Sequence, residues 1–399
     1  MGCDLRRRVP NSTVLHLVQP VAGGVARVVT DLVRAQTGAG MRAVVACPPG
    51  GSLGKSAAAA GADVRLWLAE RVPGPNLPWE IACAARVIRR ARPDVVHLHS
   101  AKAGLAGRLA LRGRLPTVFQ PHAWSFEAAP WPAARLAAAW ERFAARWADR
   151  VVCVSEAEQR RGGAAGVAAR FSVIPNGVDP ARYPAADGVA RRQARAALAA
   201  VHALPQRAPL VVCVGRLARQ KGQDVLLRAW LRVTARHPGA RLAFVGDGPE
   251  RAALRAVADP GTLFTGHTED TQPWYAAADV VVLPSRWEAM ALAPLEAMAV
   301  GRPVVLTDVG GASESLPPGH APHCLVPPED PVALGDALAA LLAEPERRAA
   351  LGREAAAHVR AAHDVRDTAA ACARLYGELL GQGPPGPEAA PEAREFSRP

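Results

Sequence analysis

Short, nearly continuous apolar runs recur along this chain, separated by longer stretches in which apolar residues return at helical spacing. The first half carries TVLHLV (13–18), RAVVAC (42–47), VVHLH (95–99), TVFQ (117–120), RVVCVS (150–155) and FSVIP (171–175). The second half carries PLVVCVG (209–215), RLAFVG (241–246), LFTG (263–266), VVVLP (280–284) and PVVLT (303–307). Runs this rich in β-branched residues, with little polar alternation, predict strands buried on both faces of a parallel sheet. The Ala/Arg/Leu-rich stretches between them predict helices. Strand alternating with helix predicts α/β architecture with doubly wound parallel sheets.

The pattern breaks once. Between Pro175 and Pro209 the chain passes through the turn-rich NGVDPARYP and then a charged helical stretch with no strand character. At 399 residues the chain exceeds what one core usually holds, so two domains are expected. The reading is a first Rossmann-like domain over 10–180, a linker over 181–207 and a second domain over 208–362. A C-terminal helix follows over 363–381, expected to pack back on the first domain. The tail 382–399 is rich in Pro, Gly and Glu and is expected to be disordered.

Composition narrows the class. Hydrophobic residues make up 50% and charged residues 21%, an ordinary globular balance. No run approaches the roughly 20 apolar residues that span a bilayer, and the N-terminus is a poor signal peptide. Seven cysteines form no CxxC pair, and several sit inside apolar runs, which argues for buried thiols in a reducing cytoplasm rather than a zinc site or disulfide frame. The net charge of +12 fits phosphorylated substrates, an anionic membrane surface or nucleic acid, and equally an arginine-rich genome. Nucleic acid is disfavoured as a partner because the basic residues are dispersed with few aromatics among them.

In open parallel sheets ligands bind beyond the carboxyl ends of strands, so the turns after strands are where chemistry is sought. Gly23 and Gly24 follow the first strand and precede a helix, a turn that lets backbone approach an anion closely. The stretch is not GxGxxG and lacks the acidic residue about 20 positions on, which disfavours a dinucleotide cofactor. Arg216 and Lys221 follow the strand PLVVCVG in a short loop with Gly222, two cations suited to a diphosphate. Glu288 follows the strand VVVLP, and Glu296 falls within the next helix, whose start near residues 290–294 offers N–H groups to phosphate oxygens. Glutamates can accept hydrogen bonds from a ribose diol and from sugar hydroxyls.

The loop Gly215-Arg216-Leu217 with Lys221-Gly222, followed by Glu288 and Glu296 with seven residues between them, resembles the G-R-L-x-x-x-K-G and E-x7-E signature of family 4 retaining glycosyltransferases of the GT-B fold (glycosyl transferases group 1). VIPNGVD (173–179), FVGDGPE (244–250), WYAAADVVVLPS (274–285) and TDVGGASE (307–314) fit the same family, and the resemblance spans roughly 13–375. It implies two facing Rossmann-like domains with an interdomain cleft, and transfer of a sugar from a nucleotide-diphosphate sugar, UDP- or GDP-type, to a glycan, lipid-carrier or small-molecule acceptor. Gly23, Gly24, Arg216, Lys221, Met290, Ala291 and Leu292 would meet the donor diphosphate. Glu296 would hold the ribose, Glu288 the transferred sugar, and His122, in FQPHAWSF after a first-domain strand, would stand near the reacting sugar. His16 and Lys102 are secondary candidates. Where the family has E-G-F-G-L, this chain has Glu288-Ala289-Met290-Ala291-Leu292, which adds methyl groups beside the donor.

No DxD motif stands in a suitable place, so neither a metal nor a cofactor is expected. A nucleotide-sugar epimerase and a non-catalytic nucleotide-sugar-binding protein of the same fold are the competing readings. Residues 131–150 put Leu136, Trp140, Phe143 and Trp147 on one helical face flanked by Arg135, Arg142, Arg146 and Arg150. Such a face suits either core packing or peripheral contact with the inner face of the membrane.

Overall fold

The computed structural model describes residues 12–202 and 204–381. The expected disordered tail therefore lies outside the described residues.

Two fully parallel sheets carry the molecule. The first contains β1 (Thr13–Val18), β2 (Arg42–Cys47), β3 (Asp63–Leu66), β4 (Val95–His99), β5 (Thr117–Gln120), β6 (Arg150–Cys153) and β7 (Phe171–Val173), in the order β3-β2-β1-β4-β5-β6-β7. The second contains β8 (Leu210–Val214), β9 (Arg241–Val245), β10 (Leu263–Phe264), β11 (Val280–Leu283), β12 (Val304–Thr307) and β13 (Leu325–Val326), in the order β10-β9-β8-β11-β12-β13. Each order reverses beside the first strand of its sheet, at β1/β4 and at β8/β11. A reversal splays the flanking loops apart and opens a crevice at the strand ends.

Every apolar run read from the sequence is a strand. Two strands escape that reading. β3 is an edge strand whose Val64 and Leu66 are exposed, so it lacks the fully apolar signature, and β13 is only two residues long. The central strands β1, β4 and β8 are buried along their whole length.

The stretch after the break contains a helix, Gly188–His202. It packs on the helix Gln272–Ala277, and Arg195 bonds the Ala277 carbonyl and the buried Asp279 carboxylate. Asp279 also accepts from Arg191 and from the Leu210 backbone N–H; its pKa is lowered, the two arginines and that N–H outweighing the opposing effect of burial. The C-terminal helix Val365–Leu379 lies against Gly24–Gly38 of the first domain. Among the described residues no helix is long and apolar enough to cross a membrane.

Candidate active site

In the second domain the chain after β8 turns through Gly215-Arg216-Leu217, and a short 3-10 turn, Arg219–Lys221, delivers the lysine. Gly222 then opens the helix Gln223–Arg236 with φ +64°, and a Cβ there would sit 1.9 Å from the Pro284 carbonyl oxygen. Only glycine permits both the left-handed backbone and that approach. The approach brings the loop after β8 against the loop after β11, and Gln220 stitches them by donating to the Trp287 carbonyl at 3.0 Å and accepting from the Arg286 N–H at 2.8 Å.

The acidic partners are thereby fixed. Glu288 accepts from Ser285 Oγ at 2.8 Å and forms an ion pair with Lys221. Arg216 is exposed; its pKa is lowered, first by desolvation and then by the neighbouring cation Arg71 of the first domain, while Glu288 opposes the shift. Glu296, buried in the helix Leu292–Ala299, accepts from Tyr275 Oη at 2.8 Å and faces Arg27 at 3.7 Å. Arg27 belongs to the first domain and also donates to Tyr183 Oη at 2.6 Å. Burial and the Glu296 charge hold the Tyr275 phenol well above its ordinary range.

The alanine substitutions in this loop cost no backbone strain. Neither Ala289 nor Ala291 adopts positive φ, and Ala291 caps the helix in extended geometry, φ −75° and ψ 142°. Conformational freedom is demanded elsewhere, at Gly310, where φ is +55° and a Cβ would meet the Glu288 carbonyl oxygen at 1.8 Å. Ala291, Leu292 and Ala293 leave the first-turn N–H groups of the helix without intrahelical partners, while Pro294 has none to offer.

The first domain closes the other side. Gly23, φ +78°, begins the helix Gly24–Gly38, and the site of a Cβ on Gly24 lies 3.9 Å from Leu292 Cδ1 across the cleft. The two domains are latched beside it. Asn176 Nδ2 donates to the Met290 carbonyl at 2.7 Å, Ser155 Oγ donates to the Ala289 carbonyl at 3.3 Å, and Glu314 accepts from the backbone N–H groups of Glu156 and Ala157 at 2.7 and 2.8 Å. The Glu314 carboxylate thus caps the helix Glu156–Ala164 from the opposite domain, an N-terminus that favours negative charge.

His122 follows β5 at φ 54°, and Ala123 continues at φ 89°, two consecutive left-handed residues without glycine. Glu158 holds this turn by accepting from the Ala123 N–H at 2.7 Å and the Val154 N–H at 2.7 Å. Burial pushes the Glu158 carboxyl up to about 7, against those two bonds. His122 Nε2 lies 3.1 Å from His99 Nδ1, the first link into a buried group of imidazoles made of His16, His97 and His99. One ring nitrogen from each of these three lies within 4.8 Å of the others, the set among the described residues able to hold a metal ion. His16 Nδ1 and His99 Nε2 are already bonded to each other at 2.9 Å.

The structure therefore brings Arg216, Lys221, Glu288, Glu296 and the start of the helix Leu292–Ala299 to one cleft wall, with Gly23–Gly24 opposite. Lys102 is placed differently. It is buried, pairs with Glu80 and donates to the Val72 carbonyl at 3.2 Å, so it braces the loop carrying Arg71. The sequence reading did not single out Arg27, Arg71, Tyr275, His97, His99 or Glu314. His97 and His99 had a legible signal, two polar residues spaced by two within an otherwise apolar strand. The others depend on long-range packing. On the helix Ala133–Ala144, Leu136 and Phe143 are exposed and Trp140 is half-buried; in the 3-10 turn Ala145–Trp147 that follows, Trp147 is half-buried and Arg146 stacks over Phe143 at 4.0 Å.

Comparison with known proteins agrees with this architecture. The family model described as Glycosyltransferase Family 4 matches residues 22–182, and the one described as Glycosyl transferases group 1 matches residues 208–344. The chain is 32% identical over 259 residues to the lipopolysaccharide core biosynthesis mannosyltransferase LpsB of Rhizobium meliloti, covering 60% of this chain and 69% of that protein. It is 34% identical over 203 residues to a GDP-mannose-dependent monoacylated alpha-(1-6)-phosphatidylinositol monomannoside mannosyltransferase of Corynebacterium glutamicum, covering 48% of this chain and 52%, about half, of that relative. Its fold matches the crystal structure of Anabaena Alr3699/HepE in complex with UDP and glucose at a TM-score of 0.78 and 23% identity, over 92% of this chain and 99% of the other. With two facing parallel-sheet domains and these relatives, the chain is a GT-B-fold glycosyltransferase and belongs to glycosyltransferase family 4.

Proposed function

We propose that this glycosyltransferase transfers a sugar from a UDP- or GDP-sugar with retention at the anomeric carbon, without a metal at the diphosphate. The observation that carries the reading is the convergence of Arg216 and Lys221 with the free N–H groups at the start of Leu292–Ala299, at the carboxyl ends of β8 and β11. As the anomeric bond breaks, charge develops on the leaving diphosphate oxygens, and preoriented cations and N–H dipoles in a cleft stabilise it. Lys221 has three donors and uses one on Glu288, leaving two for phosphate. Glu296, aimed by Tyr275, takes the ribose hydroxyls. Glu288 and His122 face the sugar, and a donor phosphate oxygen accepts the proton of the incoming hydroxyl on the same face.

A matching relative is named for GDP-mannose and a solved structure of this fold holds UDP and glucose, which supports a nucleotide-sugar donor of either base. The acceptor belongs to a glycan, lipid-carrier or small-molecule class. The exposed Leu136 and Phe143 with Arg135, Arg142 and Arg146 supply a basic, apolar surface for peripheral membrane contact. Flotation with anionic vesicles tests that contact, and no binding at low salt would reject it.

The deciding experiment is donor binding and hydrolysis across UDP-, GDP-, ADP- and TDP-sugars in EDTA. Release of one nucleoside diphosphate, and with an acceptor a product that keeps the donor's anomeric configuration, is expected. Dependence on added divalent metal, or no binding to any donor, would overturn the reading.

A further inference from the structure

Three histidines of the first domain are linked in a way that their separate positions in the chain do not suggest. His16 Nε2 lies 2.9 Å from Gln36 Oε1, His16 Nδ1 lies 2.9 Å from His99 Nε2, and His99 Nδ1 lies 3.1 Å from His122 Nε2. His16 and His99 stand on neighbouring strands two residues out of register, on the face covered by Gly24–Gly38, which supplies Gln36. His97 stands beside the chain rather than in it, with Nδ1 2.7 Å from Tyr376 Oη.

With the Gln36 amide oxygen on His16, the chain has one consistent arrangement of protons. No carboxylate bonds any of its three imidazoles among the described residues, and His16 and His99 are fully buried, so the neutral rings each carry one N–H. Burial also lowers the imidazole pKa values, to about 4 at His16 and about 3 at His122. A carbonyl oxygen cannot donate, so Gln36 Oε1 requires the proton of His16 on Nε2. His16 Nδ1 is then a bare acceptor and requires the His99 proton on Nε2. His99 Nδ1 is bare in turn and requires the His122 proton on Nε2.

The geometry points to Gln36 as a positioning residue that, through His16 and His99, fixes His122 in the Nε2–H tautomer and leaves His122 Nδ1 as an unprotonated acceptor. His122 Nδ1 has no hydrogen-bond partner among the described residues. An imidazole locked this way accepts a hydrogen bond from a sugar hydroxyl and cannot donate one to the glycosidic oxygen. This catalytic consequence rests on the proposed placement of His122 beside the transferred sugar; the tautomer does not.

The test is long-range proton–nitrogen correlation NMR on the full chain labelled with 15N-histidine, at pH 7.5, with the His122 signals assigned by their loss in His122→Gln. Wild-type His122 is expected as the Nε2–H tautomer. Gln36→Met removes the acceptor at similar volume, so His122 is expected to become a mixture of tautomers, with kcat reduced by about tenfold at an unchanged donor KM. An Nδ1–H tautomer or an imidazolium at His122 in the wild type would overturn the proposal, even if Gln36→Met failed to fold. So would an unchanged His122 tautomer in a folded Gln36→Met protein. If the tautomers are as stated but His122→Gln keeps full transfer activity, the chain stands and the placement of His122 at the sugar fails.

Discussion

In the second domain, the groups assigned to the donor leave group stand on loops and a helix start: Arg216 and Lys221 after β8, Glu288 after β11, and the N–H groups that open Leu292–Ala299. In the first domain His16 and His99 stand inside β1 and β4, and His122 alone sits on a turn. The difference follows from charge. A cation or carboxylate buried within a sheet loses hydration worth several kcal/mol, so the charged side of the cleft is built on loops that reach solvent and are tied together at Gly222. A neutral imidazole can be buried when both nitrogens are bonded, and a strand then fixes it more rigidly than a loop. One wall therefore carries charge, and the other carries oriented, uncharged polarity.

That contrast can be broken most severely on the charged wall. Lys221→Ala and Arg216→Ala should each lower kcat/KM for the donor by about 10²–10³, or about 3–4 kcal/mol of transition-state stabilisation, with little change in melting temperature. Steady-state kinetics on the donor found in the panel checks this; rates within about threefold of wild type for both variants would remove the diphosphate assignment.

The neutral wall should show itself in pH dependence of stability instead. The folded-state pKa of His16 is depressed to about 4 and that of His122 to about 3, below the unfolded value of 6.5. The unfolded chain therefore binds protons first as pH falls. Stability is full above 6.5 and is lost below it, by about 1.4 kcal/mol per pH unit for a histidine titrating alone. Glu158 runs the opposite way, because its folded pKa is raised to about 7 and it takes up its proton in the folded state before the unfolded. Thermal melts from pH 8 to 5 should show a net fall that His16→Gln makes shallower. A profile that His16→Gln leaves unchanged would mean that the imidazoles charge in place.

The smallest effect is expected at the latch joining the walls. Glu314→Ala removes a carboxylate that caps Glu156–Ala164 across the cleft, a contact worth about 1 kcal/mol. The closed-to-open ratio should fall about fivefold, read as a loss of up to that factor in kcat/KM and a more open average shape in small-angle scattering. Loss of melting temperature with unchanged kinetics would make Glu314 a helix cap only.

Much of this was legible in the chain. The buried parallel strands announce themselves because a strand covered on both faces has no polar positions to interrupt it, and the edge strand β3 stayed hidden because its outward residues follow no such rule. Arg216, Lys221, Glu288 and Glu296 were legible because each sits at a fixed offset from a strand end. The family resemblance also suggested that Ala289 and Ala291 would disturb the donor loop. The structure shows negative φ at both and places the demand for glycine at Gly310, a contact between segments distant in sequence.

The sequence by itself determined the alternation of strand and helix, the break between two sheets, and the charged loops after β8 and β11, since these depend on local pattern and on neighbours a few residues away. Tertiary structure alone decided that Arg27 and Glu296 meet across the cleft, that Glu314 caps a helix of the other domain, and that Gln36, His16, His99 and His122 form one hydrogen-bonded chain. Those contacts join residues up to 269 positions apart, because Arg27 and Glu296 are brought together only by the closing of one sheet domain on the other. Strand register and domain packing set their distances, and no periodicity along the chain encodes them.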